Sequence, residues 1–275
     1  MRWVLGHFRA LAEIVALLTR YRQLTWEMTR REITDRYAGQ VFGTLWGLGH
    51  PLVLIAVYVF VFAYVFKVRI GGTADLPLDY TTYLLAGLIP WLAFQESMSK
   101  ASTVITAHSN LVKQVVFPIE VLPVKGVIVA AITQSIGTAA LIVYVLVSHG
   151  SLPLMYLLLP VVFLLHVLAM VGVAYVLSAI GVYFRDAKDF VQVFCTVGVF
   201  VIPVMYLPAQ VPQLFRPIVF INPFSYVIWC YQDVLYYGRF EHPWAWAVFP
   251  VGSVLIFSLG YRLFRILKTF FGSVL

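Results

Sequence analysis

Glu96, Lys100 and His166 lie inside long apolar runs of this 275-residue chain. Ionisable groups in such surroundings are costly and mark functional sites by default. Glu96 and Lys100 stand one helical turn apart, so they either neutralise each other or offer a charge to a substrate or gate. His166 reads as a hydrogen-bonded buried imidazole or as a proton relay, and a proton-coupled pump needs more carboxylates at that depth. The glycine-rich phosphate cradle GxxxxGK[ST] is absent, as are HExxH and GxSxG. Cys195 and Cys230 sit in apolar stretches without a CxxC spacing, and no Cys/His spacing suggests a metal. No catalytic residue, metal ligand or cofactor is therefore assigned to the chain itself. Its sites are expected to be surfaces that touch other molecules.

One such surface interrupts two apolar runs: Ala107-His-Ser-Asn-Leu-Val-Lys-Gln-Val-Val-Phe-Pro-Ile-Glu-Val-Leu-Pro123. It carries enough of one helix for a docking element, fenced by two prolines. A mere connector could be shorter and need not mix charge with Leu, Val and Phe.

The elements that position these residues are membrane spans. The chain is 61% hydrophobic and 11% charged, against roughly 25% charged in soluble domains. The net charge of +7 comes from basic residues beside apolar runs, so it does not indicate nucleic-acid binding. Six segments reach the roughly 20 apolar residues that a spanning helix needs: about 45–66, 81–107, 124–147, 153–181, 190–207 and 244–266. Residues 1–40 form a cytoplasmic helical lead, and 41–275 the transmembrane domain. With the start of the chain inside, all but four of the 19 Lys and Arg fall on the inner side. Lys67, Arg69, Arg216 and Arg239 are the exceptions. That bias predicts two cytoplasmic termini and a cytoplasmic Asn110 segment. Glu13 interrupts the one early apolar run and no Ala-x-Ala site follows, so the first residues are expected to be retained rather than cleaved as a signal peptide.

Val4, Phe8, Leu11, Val15 and Leu18 form one face of a helix, with Arg2, Arg9, Glu13 and Arg20 opposite. That pattern predicts an amphipathic interface helix. In the following helix the pairs Glu27–Arg31, Arg31–Asp35 and Glu32–Arg36 are spaced i,i+4; the helix is either simply solvated or a contact for a partner subunit. Pro208–Pro243 lies between the fifth and sixth spans. Its second half, Phe224–Gly238, is helical in pattern but too short to cross, which predicts a re-entrant or interfacial hairpin. Tyr58, Phe62 and Phe66 form an i,i+4 stripe with Phe60 and Tyr64 nearly opposite, so one stripe can face lipid and the other a pore where sugar rings stack. Trp244 and Trp246 are interfacial anchors.

Three stretches resemble the ABC-2 type permeases that export polysaccharides such as O-antigen, capsule and teichoic acid. They are Arg30–Gly39 with Val41–Pro51, Asn110–Pro123, and Tyr183–Asp189 with Asn222–Tyr226. The resemblance covers most of the chain. It implies an all-α fold of six spans, working as a homodimer with two separate ATPase subunits that bind ATP and Mg. It makes residues about 108–117 a coupling helix, with Asn110, Leu111, Lys113, Phe117, Pro118 and Glu120 as contacts. Arg185, Asp186 and Asp189 become a second ATPase contact, and Arg30, Arg31, Glu32 and Tyr37 belong to the interface helix. Tyr58, Phe62 and Phe66 become channel aromatics, and Asn222, Pro223, Tyr226 and Tyr231 a periplasmic gate. Ile119 departs from the basic residue common at its position. The implied activity is export of an undecaprenyl-diphosphate-linked glycan, most naturally O-antigen, across the inner membrane. Arg2, Arg9 and Arg20 are then placed to meet the lipid diphosphate, since arginine suits phosphate geometry. The competing readings are an exporter of a drug or small lipid, a polyprenyl-lipid membrane enzyme, and an ATP-independent flippase. The enzyme lacks a convergent carboxylate or histidine cluster, and the flippase would have no purpose for a docking segment.

Overall fold

Polar breaks, glycines and prolines divide the apolar runs into helices. A computed structural model describes residues 12–65, 77–114 and 117–275, in which there are helices and turns and no strand. A helix α1, described over residues 12–20, turns at Tyr21 into α2 (Arg22–Arg36). Gly39 and Gly43, with φ of 77° and 49°, then bend the chain toward α3 (Trp46–Val59), a conformation that glycine adopts without a Cβ clash. A π-turn, Phe60–Val65, continues α3. After α4 (Tyr80–Ala101) come two short helices, α5 (Val104–Ala107) and α6 (Ser109–Gln114). Next are α7 (Val121–His149), closed by Gly150 at φ 73°, and α8 (Leu159–Tyr183). Then follow α9 (Ala187–Val201), α10 (Arg216–Ile221) and α11 (Pro223–Gln232), the last extended by a π-turn over Asp233–Tyr237. The chain ends with α12 (Pro243–Leu267) and α13 (Phe271–Val274).

Val121–His149, Leu154–Tyr183 and Pro243–Val274 are long and apolar enough to cross a membrane, while Gly49–Phe62 is apolar but shorter. Two expected runs are shorter than the composition implied. The second ends at Ala101, because the chain turns at Ser102 and Thr103 before α5. The fifth stops at Val201, where Ile202 takes an extended backbone before Pro203. Its 15 residues span about 22 Å.

α4 occupies the middle, packed by α7, α8, α9 and α11, and every residue from Thr81 to Trp91 is buried. α8 and α12 approach through glycine. A Cβ on Gly172 would lie 2.5 Å from the Phe257 nitrogen, and one on Gly260 only 2.2 Å from the Gly172 oxygen. Small residues at such crossings let backbones pack closely in lipid. The outward faces carry Val143, Val147, Leu164, Val251, Leu259 and Ile266. So much exposed apolar surface suits contact with lipid rather than water.

Candidate functional site

One end of the bundle is basic, and α2 is fastened there by charge. Glu32 of α2 reaches Lys100 of α4 at 3.0 Å and Lys125 of α7 at 3.1 Å, one carboxylate oxygen to each. Arg36 meets Glu96 at 2.6 Å, and Glu96 also meets Lys100 at 3.2 Å. The Glu96–Lys100 pair expected from spacing is therefore present, within a larger network. Of the three i,i+4 pairs expected along α2, Arg31–Asp35 is seen at 3.4 Å. Glu32 and Arg36 instead reach across to α4 and α7, where the ions are less solvated and the attraction is stronger. Burial raises the Glu32 carboxyl, but Lys100 and Lys125 outweigh that and hold it below its ordinary value. Tyr37 is buried, stacked against His50 with ring centroids 6.3 Å apart. Arg30 is exposed.

The docking segment lies beside this network. α6 presents Asn110 and Lys113 outward, while Leu111 and Phe117 turn partly onto the core. The Pro118 carbonyl accepts from the Val121 N–H at 3.0 Å and so opens α7. Glu120 points inward: its carboxylate pairs with Lys268 and its carbonyl accepts from the Tyr175 hydroxyl at 3.1 Å. Of the expected residues 108–117, α6 covers Ser109–Gln114 among the described residues, and Glu120 faces Lys268 and Tyr175 rather than outward. A cavity of about 780 Å³ separates α2 from this segment, with Leu24, Met28, Glu32, Leu111, Phe117 and Lys125 in its walls. Arg185, Asp186 and Asp189 are all exposed where α8 gives way to α9.

Deeper in the bundle, Tyr231 of α11 is fully buried. Its hydroxyl accepts from Gln134 Nε2 at 2.7 Å and lies 3.2 Å from His166 Nδ1. His166 thus ties α8 to α11, with Phe94 against its ring at 4.6 Å. At the opposite end Asp233 is fully buried. It accepts from the His242 N–H at 3.1 Å and Trp246 Nε1 at 2.9 Å, and lies 2.8 Å from His242 Nδ1. Asn222 caps α11 by accepting from the Phe224 N–H at 3.1 Å, Pro223 takes the first helical turn, and Tyr226 donates to Phe220 at 2.6 Å. Tyr58 and Phe62 stack at 5.9 Å, with Phe62 also against Tyr80 of α4, and Phe60 and Tyr64 form the open face. Phe66, and the amphipathic residues Arg2, Val4, Phe8, Arg9 and Leu11, lie outside the described residues.

The ABC-2 type transporter family model matches residues 23–236. The chain belongs to this family. It is similar to the O-antigen export system permease protein RfbA of Klebsiella pneumoniae, 26% identical over 250 residues that cover 90% of this chain and 93% of the relative. The protein of the same name from Myxococcus xanthus is 28% identical over 232 residues, or 83% and 86%. The ABC-2 chain is thus a membrane-embedded transport subunit. What its geometry provides is attachment: α2 is held to α4 and α7 through ion pairs rather than left as a loose surface helix. Lys125, His108 and the Glu120–Lys268 pair are members of this end that spacing alone does not single out. Their signal was a charge at the edge of an apolar run, which reads equally well as a topology marker.

Proposed function

We propose that the chain is the permease subunit of an ATP-driven exporter of lipid-linked O-antigen across the inner membrane. Two copies would work with two ATPase subunits, and the six apolar runs would cross the bilayer with both termini in the cytoplasm. The observation that carries this reading is the exposed α6 face of Asn110 and Lys113, beside a charge network that ties α2 to α4 and α7. A rigid docking element is what a subunit without its own phosphate cradle needs in order to receive work from ATP. The Arg185–Asp189 corner supplies a second contact, α2 the interface helix, and the capped α11 with its π-turn, from Asn222 to Tyr237, an outer gate. The relatives' names supply the cargo, and the aromatic residues of α3 suit sugar rings.

The test is co-purification with the cognate ATPase, followed by export and hydrolysis measured together. Lys113→Glu with Phe117→Ala is expected to lower the export obtained per ATP about tenfold while the permease remains folded. Unaltered export in the double variant would remove the docking assignment.

A further inference from the structure

His108 joins α5 to α6, and both of its ring nitrogens are engaged. Nδ1 lies 2.8 Å from the Val104 carbonyl oxygen, which can only accept, so Nδ1 carries the hydrogen. Nε2 lies 3.0 Å from Lys125 Nζ. An ammonium can only donate, so Nε2 is the bare acceptor and the ring is neutral. Lys125 is 5% exposed and also pairs with Glu32. One side chain of α7 therefore holds both α2 and the residue that opens the docking helix.

The charges around this node come from several elements. Glu32 and Arg36 face it from α2, where Arg31 and Asp35 pair with each other. Glu96 and Lys100 face it from α4, while Lys113 of α6 is exposed. Arg36, Lys100 and Lys125 thus meet two carboxylates, Glu32 and Glu96. A proton on His108 Nε2 would add a fourth cation beside Lys125 and replace the acceptor with a donor.

We infer that His108 and Lys125 are positioning residues that lock the docking helix α6 to the α2–α4–α7 frame, and that the lock holds only while His108 is neutral. Acidification of the cytoplasmic side then frees α6 and weakens the drive from the ATPase. The inference rests on the docking reading above and adds to it a proton-sensitive latch.

The test is lipid-linked glycan export per ATP hydrolysed by the permease–ATPase complex in proteoliposomes, as the pH on the cytoplasmic side is lowered from about 8 to about 6. The quantity read is the ratio of wild type to His108→Gln, so that the ATPase subunit's own pH response cancels. The ratio is expected to fall at least about fivefold toward pH 6; a constant ratio overturns the inference. Lys125→Gln should flatten the wild-type profile in the same way. A nitroxide at Asn110→Cys in otherwise unaltered permease reads the latch without those variants: it should gain mobility on acidification, and unchanged mobility overturns the proposal. Lys113→Glu with Phe117→Ala is run alongside. If that pair uncouples the complex while the His108 ratio stays constant, only the latch fails. If the pair has no effect, the docking reading fails whatever His108 does.

Discussion

Two opposing effects meet on the Glu32 carboxylate. Burial favours its protonated form, whereas the ammoniums of Lys100 and Lys125 favour the charged form and prevail. A carboxylate lowered in the folded state gives stability that is fully present above its ordinary value of 4.5 and is lost as pH falls through the lower, folded value. Hydrogen exchange should therefore show α2 equally protected at about pH 7 and pH 5, and released only in stronger acid. Loss of α2 protection already at pH 5 would contradict the pairing. Glu32→Gln leaves Lys125 with one ionic partner fewer. Breaking a fully buried pair costs about 3–5 kcal/mol; for this partly solvated carboxylate about 2 kcal/mol is expected, read as lower thermal stability in detergent. Glu96 and Lys100 were legible as a pair because their spacing is local. Lys125 was not, since its partners lie on α2 and at the α5–α6 junction, and sequence separation hides such contacts.

At the scale of elements, close packing decides what the helices tolerate. The contact between α8 and α12 has room for hydrogen alone at Gly172 and Gly260, whereas a Cβ on Gly252 meets nothing within 4 Å. Gly260→Leu should cost several kcal/mol, at or beyond the ~1–3 kcal/mol usual for overpacking, and Gly252→Leu should leave thermal stability unchanged. Equal losses in the two variants would contradict the packing. The helical runs themselves were readable from apolar length, whereas most residues that carry the amphipathic period of the lead lie outside the described residues. The early end of α9 was harder to foresee, because the chain beyond it remains apolar. The carbonyls of the turn that follows α9 are taken up by distant side chains: Tyr83 donates to Tyr206 at 2.9 Å, Tyr80 to Met205 at 2.9 Å and Gln232 to Pro203 at 2.9 Å. A broken backbone inside a bundle persists where protein supplies such partners. Hydropathy does not reveal where those partners will be.

Over the whole molecule, an apolar outer surface surrounds the bundle, a basic end carries α2 and α6, and a buried Asp233–His242 pair braces the opposite end. On the proposed function, this arrangement exports lipid-linked O-antigen under the drive of a separate ATPase. A chromosomal deletion of this chain, with O-antigen assayed both at the cell surface and on its lipid carrier in the inner membrane, tests it most directly. Surface O-antigen should disappear while the lipid-linked form accumulates, and re-expression of the intact chain should reverse both. Surface O-antigen at the wild-type level in the deletion strain would contradict the claim.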